Sequence, residues 1–356
     1  MAFKIEPGVK EVEEAHRFDN GALESYLRDN REEMGEIAGP LTVRQFRGGQ
    51  SNPTYHLSDG TSQWVLRRKP PGTLVASAHA VDREFQVLRA LGSTDVPVPT
   101  TRLLCEDETV IGTMFYIMDM VEGRILTDQS LPDQTREERA GIYDSKIATL
   151  AKLHLVDYEA IGLGDYGRPG NYYARQIKTW TRQYESATGL DPIPAMERLS
   201  EWLPENIPAD DETSIAHGDY GLNNMVVHPT EPRVAAILDW ELSTIGHPIA
   251  DLTYHLSARR GPTSPFQHLS DQDLAELGIP TEAEYVARYC ELTGRSEIKN
   301  LEFYIAFHLF RSAGILRGIA GRVQSGTAAG EGALEVGKLA GPLAEASLEL
   351  AKQLGA

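Results

Sequence analysis

The chain is poor in cysteine, has no long apolar run and carries no surplus of positive charge, and each shortage removes a class of function. Cys105 and Cys290 are the two cysteines and no Cys-x-x-Cys pair occurs, which excludes a disulfide framework and a cysteine zinc site. Both are expected as small buried hydrophobes. No stretch approaches the roughly 20 apolar residues of a membrane helix. Lysine and arginine total 34 against 52 acidic residues, a net charge of −18. A nucleic-acid binder gathers basic residues on one face, and here Arg67-Arg68-Lys69 is the one cationic triplet. The acidic balance also disfavours an anionic membrane surface. Glu6, Glu11, Glu13 and Glu14 make the N-terminal segment unlike a signal or transit peptide. The expectation is a cytoplasmic protein that binds neither nucleic acid nor membrane, with nothing in the sequence that sets its oligomeric state. Repeats and low-complexity tracts are absent, and 356 residues suit two lobes better than one small core.

What is present concentrates in residues 217–251, HGDYGLNNMVVHPTEPRVAAILDWELSTIGHPIAD. Residues 225–228 and 234–238 read as two short strands joined by a proline-bounded turn, 229–232. Asp219 and Asn224 precede this hairpin and Asp239 ends it. Such a set suits magnesium nucleotide chemistry. Mg²⁺ is a small hard cation that takes oxygen ligands, usually one or two carboxylates besides phosphate oxygens. A further carboxylate, off the metal, can orient a hydroxyl and accept its proton. Asp or Asn alone more often makes a turn, but Asp219-x-x-x-x-Asn224 with Asp239 after a hairpin matches the kinase catalytic-loop spacing. His228 reads as a loop residue, and His247, before Pro248, as the mark of a helix start.

HGDYGLNN followed by ILDWE resembles the aminoglycoside phosphotransferase family, a branch of the protein-kinase-like fold. The nearest likeness is to the kinase-like domains fused to some acyl-CoA dehydrogenases and to their stand-alone bacterial relatives. The resemblance covers all but the first ~35 residues. It implies an α+β, two-lobed fold: a small antiparallel-sheet lobe, 1–121, and a larger, mostly helical lobe, 122–356. By the same resemblance, ATP and Mg²⁺ are the cofactors, Asp219 is the catalytic base and His217 braces its loop. Asn224 and Asp239 become the metal ligands, and Asp251 ties down the loop backbone.

Residues 41–46, 54–57 and 63–67 read as strands, with small residues between the first two. Little side chain lets backbone N–H groups approach phosphates. In the family this loop covers ATP, and Gly48, Gly49, Ser51 and Asn52 match it best. It lacks the end of a Walker A loop. Protein kinases place a phosphate-binding Lys where this chain offers Arg67, with Arg68 and Lys69 after it. Arg67 is chosen because it follows Val65-Leu66, and a guanidinium can replace the point charge with a fork. A helix from residue 79 carries Val81, Phe85, Leu88 and Leu91 on one face. Glu84 in it matches the acid that pairs with the basic strand residue, although by pattern alone it reads as a surface acid. Residues 102–105 and 114–120 read as further strands. The resemblance places adenine against Asp119 and Val121, with Met118 behind the ring.

Helices are expected at 134–154, 172–188, 195–203, 248–258, 281–293, 297–321 and 331–353. Between the first two, 162–167 satisfies Gly-x-Gly-x-x-Gly, but a helix precedes it and Arg168-Pro169-Gly170 follows, so it is a loop and not a dinucleotide fingerprint. Asp251 follows Asp239 by twelve positions with no Ala-Pro-Glu, leaving no room for the peptide-positioning segment of protein kinases. A small-molecule hydroxyl acceptor is therefore expected, faced by Tyr172, Tyr173, Tyr254 and Arg311. A metabolic hydroxyl compound, such as a hydroxyacyl compound, ranks above an aminoglycoside. Besides a protein kinase, which the short segment after Asp239 disfavours, two alternatives stay open. One is a kinase-like module that holds nucleotide without transferring phosphate. The other is a metal-dependent hydrolase using His217, Asp219, His228, Asp239 and His247.

Overall fold

A computed structural model describes residues 8–47, 52–70, 80–187, 189–262, 269–324 and 333–356. In chain order they form β1 (Val9–Lys10), α1 (Asn20–Asp29), α2 (Arg31–Met34), β2 (Thr42–Phe46), β3 (Thr54–Ser58), β4 (Gln63–Arg68), α3 (Val81–Leu91), β5 (Thr101–Cys105) and β6 (Phe115–Asp119). Then come α4 (Arg136–His154), α5 (Tyr172–Ser186), α6 (Pro194–Glu205), β7 (Ser214–Ala216), β8 (Met225–Val227), β9 (Val234–Ile237) and β10 (Thr244–Gly246). The chain ends with α7 (Ile249–Arg260), α8 (Asp271–Leu277), α9 (Glu282–Thr293), α10 (Leu301–Gln324), α11 (Ala333–Gly337) and α12 (Ala340–Gln353). Two compact units result. The first comprises Met1–Lys152, Asp157–Tyr166 and Gly221–Ser243, the second Leu153–Val156, Gly167–Tyr220 and Thr244–Ala356.

The first unit is built on an antiparallel sheet of order β1-β2-β3-β4-β6-β5. Strand alternation divides its residues between two faces. Tyr55, Leu57, Trp64, Leu66, Phe115 and Ile117 join the core that also holds Leu23 and Leu27 of α1. Helix α1 starts where the Asp19 carboxylate accepts the Ala22 amide, and its two leucines, four apart, are fully buried. Val65, Arg67, Tyr116 and Met118 point the other way, and Phe85 of α3 packs on Tyr116 with ring centroids 5.9 Å apart. The β8–β9 hairpin belongs to this unit too, with Met225 opposite Ile237. Arg124 exchanges both backbone hydrogen bonds with Val227, and a Cβ on Gly123 would stand 2.3 Å from the Val227 carbonyl, so only glycine passes there.

The second unit is helical around α10, which packs against α5, α7 and α12. Its small sheet pairs β7 with β10, Ile215 opposite Ile245. Three helical stretches of this unit differ from the sequence expectation. Helix α10 begins at Leu301 rather than 297, because Asn300 sits in the left-handed region at φ 56°. The helix expected at 331–353 is two, α11 and α12. Pro342 has no N–H and its ring would clash with the carbonyl of Lys338, so the second helix restarts with Pro342 in its first turn. Helix α8, capped by a reciprocal Ser270–Asp273 box, lies where none was expected. Among the described residues no helix is long and apolar enough to cross a membrane.

Candidate active site

In the first unit, β4, α3 and the residues after β9 bring three charges together. Alternation along β4 turns Arg67 away from the core and Arg68 into it, where Arg68 donates to the carbonyls of His16 and Ile111. Arg67 Nε lies 3.0 Å from Glu84 Oε2 and Nη2 donates to Asp239 Oδ1 at 3.1 Å. The Glu84 side chain is 1% exposed and that of Arg67 12%, whereas Asp239 keeps 36%. Burial opposes the charge on Arg67, but the carboxylates of Glu84 and then Asp239 more than offset it and hold its pKa above the usual value. Burial pushes the Glu84 carboxyl up, against the pull of Arg67. Glu84 Oε1 also accepts the Trp240 amide at 3.2 Å, which links α3 to the turn that follows Asp239.

Asp239 has φ 64° and ψ 63°, a left-handed backbone that Asp tolerates better than most residues. Strain of this kind, about 1 kcal/mol or more, collects at functional sites. Asn224 ends the turn before β8, is 8% exposed, and its carbonyl accepts the Leu238 amide at 2.8 Å. That bond closes the mouth of the hairpin, one residue from Asp239. Asn52 is 1% exposed and its amide donates to Glu241 at 3.3 Å. Gly48, Gly49 and Ser51 lie outside the described residues. Met118 is buried on the same sheet face as Arg67, and Val121 follows the end of β6. The Asp119 carboxylate turns the other way and pairs with Arg102 at 2.6 and 2.8 Å.

In the second unit, residues 217–219 follow β7. Asp251 of α7, 1% exposed, accepts the His217 amide at 2.6 Å and the Gly218 amide at 2.8 Å. His154 Nε2 is 3.4 Å from the same carboxylate, and its Nδ1 is 2.7 Å from the Tyr289 hydroxyl. Burial opposes the charge on Asp251, yet His154 and the amide of His217 outweigh it and keep its pKa below the usual range. His217 is buried, and its Nδ1 accepts the Asp219 amide at 3.2 Å. Tyr254 donates to Asp219 Oδ1 at 2.5 Å. Arg311 Nη2 donates to the Gly218 carbonyl at 3.0 Å, and its guanidinium lies 5.4 Å from the rings of both Trp180 and Tyr254.

The remaining candidates divide between loop and core. Tyr172 and Tyr173 are buried, Tyr173 among the rings of His247, Tyr304 and Phe307. His247 Nδ1 accepts the Ile249 amide at the start of α7, and His228 Nδ1 accepts those of Thr230 and Glu231 in the hairpin turn. Among the described residues no three His, Cys, Asp or Glu side chains are grouped to hold a metal ion. Sequence reasoning did not find the His154–Asp251 link, the grip of Arg311 on Gly218, or the bond from Tyr254 to Asp219. Tyr254 carried a signal in its spacing, one helical turn beyond Asp251.

Residues 42–293 match a family model described as the phosphotransferase enzyme family. Acyl-CoA dehydrogenase family member 11 of Gallus gallus is 46% identical over 357 residues, covering 98% of this chain and 46% of that protein. The chain thus spans about half the length of the curated relatives it matches, or less. A crystal structure from Ralstonia eutropha JMP134, provisionally assigned as an aminoglycoside phosphotransferase, is 50% identical at a TM-score of 0.86, covering 95% of this chain and 99% of that one. Choline kinase from Cryptosporidium parvum Iowa II superposes at a TM-score of 0.65 with 14% identity, covering 94% and 96% of the two chains. That likeness is one of fold: a small antiparallel-sheet lobe and a mostly helical lobe, the protein-kinase-like architecture.

Proposed function

We infer, from the premise that this chain belongs to the phosphotransferase enzyme family, that it moves the γ-phosphoryl group of ATP to a hydroxyl of a small molecule. ATP and Mg²⁺ are the cofactors of that family. The donor set fits them. Asp239 and Asn224 offer hard oxygen atoms at the mouth of one hairpin, and Arg67 is a fixed guanidinium with the fork that phosphate oxygens match. When bound, Mg²⁺ neutralises the charge that develops on the transferring phosphoryl oxygens. Asp239 and Asn224 would hold it. Arg67 would bind the α- and β-phosphates, kept in place by Glu84. Asp219 would orient the acceptor hydroxyl and take its proton, on a loop that Asp251 and His217 hold rigid. Most of the rate would come from positioning and charge neutralisation.

The observation that carries this reading is the Arg67–Glu84–Asp239 cluster, a buried acid and a part-exposed acid on one guanidinium. A purely structural ion pair has no need of the second, left-handed acid. The short segment from Asp239 to Asp251 supports a small acceptor over a protein. It is filled by a helical turn at Trp240–Leu242, by β10 and by the start of α7. We rank a hydroxyacyl compound above an aminoglycoside as the acceptor to test first, since domains like this one lie within longer proteins named for acyl-CoA dehydrogenases. Incubation with Mg-ATP and a panel of aminoglycosides, choline, homoserine, sugars, hydroxy acids and hydroxyacyl-CoA esters, followed by mass spectrometry, tests this. A phosphorylated hydroxyacyl compound is expected. Phosphorylation of the aminoglycosides alone would refute the acceptor ranking, and no phosphorylated product would refute transfer.

A further inference from the structure

Residues 217–219 are gripped at their backbone from two sides. Asp251 takes the amides of His217 and Gly218, and Arg311 donates to the Gly218 carbonyl. Gly218 has φ 84°, a left-handed conformation suited to glycine, and it sets the direction of that carbonyl. The Asp219 side chain has a grip of its own. Tyr254 sits one turn after Asp251 on the same face of α7. One rigid helix therefore carries both the carboxylate that fixes the loop backbone and the hydroxyl that meets Asp219 Oδ1 at 2.5 Å. Burial, and next the neighbouring Asp219 charge, push the Tyr254 phenol above its ordinary pKa, so it stays protonated and donates. Its ring lies 5.4 Å from the guanidinium of Arg311 and 5.9 Å, centroid to centroid, from the ring of His308.

We propose that Tyr254 is a positioning residue for phosphoryl transfer: its hydroxyl fixes the rotamer of the Asp219 carboxylate, and Arg311 holds both the Tyr254 ring and the Gly218 carbonyl. The proposal rests on the reading of Asp219 as the base. The χ2 torsion of an aspartate is broad and two-fold, so a free carboxylate swings. A short hydrogen bond from a neutral donor to a charged oxygen is among the strong kind. An ångström of misplacement at a reacting group lowers rate by about a hundredfold. No bond is made or broken at Tyr254.

The test is a cycle of four proteins: wild type, Tyr254→Phe, Asp219→Asn and the double variant. Two properties are read, phosphorylated product formed from Mg-ATP and the panel of hydroxyl compounds, and thermal unfolding. Tyr254→Phe is expected to lower kcat by about tenfold or more with the KM for ATP within about twofold. Added to Asp219→Asn, it is expected to lower kcat no further, because a residue acting through Asp219 has nothing left to act on. The two shifts in Tm are expected to be non-additive by roughly 2–4 °C, the scale of one charge-assisted hydrogen bond in a chain of this length. A wild-type kcat in Tyr254→Phe, or an equal further loss in the double variant, would overturn the proposal and leave the functional reading standing. Additive Tm shifts would overturn the contact whatever the turnover. A wild-type protein that phosphorylates no member of the panel would overturn the functional reading and this proposal together.

Discussion

Arg67→Met removes the cation that Glu84 and Asp239 share. The Glu84 side chain is 1% exposed, so its carboxylate is left buried without a cation, with the Trp240 amide and the Tyr116 hydroxyl beside it. Breaking a buried pair at one end costs about 3–5 kcal/mol. The pair with Asp239, whose side chain is 36% exposed, adds less than about 1 kcal/mol. At roughly 1–2 °C per kcal/mol for a chain of this size, Tm is expected to fall by on the order of 5 °C. Replacing both ends of a buried pair with apolar residues is often close to neutral. Arg67→Met/Glu84→Leu is therefore expected to regain part of the loss but not all. It orphans the Trp240 amide, worth about 1–3 kcal/mol. Nucleotide binding separates the two variants no further: both lose the guanidinium, and the KM for ATP is expected to rise by roughly tenfold or more. The assay is thermal unfolding at pH 7 without nucleotide, followed by initial rates against ATP. An Arg67→Met protein within about 1 °C of wild type, or a double variant less stable than the single one, would refute the account of the cluster.

Asp219→Ala is expected to bind Mg-ATP with wild-type affinity and to lose about a hundredfold or more in turnover, the share of a general base; weakened nucleotide binding by calorimetry would contradict the role. Asp239→Asn keeps a residue that tolerates the left-handed backbone, so Tm should stay within a few degrees while Mg²⁺ no longer tightens ATP binding. Unchanged Mg²⁺ dependence in a titration would count against Asp239 as a metal ligand. Asp251 has a depressed pKa in the fold, so it stabilises the protein above the unfolded value near about 3.9, and that stability is lost as pH falls through the folded value. Wild type should therefore lose stability on the acid side below about pH 4, and Asp251→Asn should flatten that limb. A parallel acid limb in both proteins would refute the assignment.

Strands β2, β3, β4 and β6 were legible in the sequence because each carries a period-2 pattern or an apolar run of five or six residues. The long helices were legible from their apolar faces. Strands β1 and β10 were not. They hold two and three residues, and what makes them strands is pairing with β2 and β7, about 30 or more positions away. Glu84 shows the same limit for a side chain. In an amphipathic helix an acid reads as solvent-facing, and nothing in the local pattern says that Arg67, on a strand 17 positions earlier, is there to receive it. The resemblance, not the periodicity, pointed to that pairing. Arg67 and Arg68 could not be ranked by composition, yet alternation along β4 separates them completely. Helix α8 carried its signal in Ser270-x-x-Asp273 and was overlooked because its apolar stripe is short. Tyr172 and Tyr173, candidates for the acceptor pocket by their place in the chain, pack in the core of the second unit, where only tertiary contacts could put them.

Transfer of phosphate from ATP to a hydroxyl compound, with Asp219 as the base, is open to a direct count. The most direct measurement counts ADP released and phosphorylated product formed in the same reaction, for wild type and for Asp219→Ala at saturating Mg-ATP. One product per ADP is expected in wild type, and a loss of both, together, in the variant that still binds Mg-ATP. Equal product formation by the two proteins, or ADP release with no phosphorylated acceptor from any member of the panel, would contradict it.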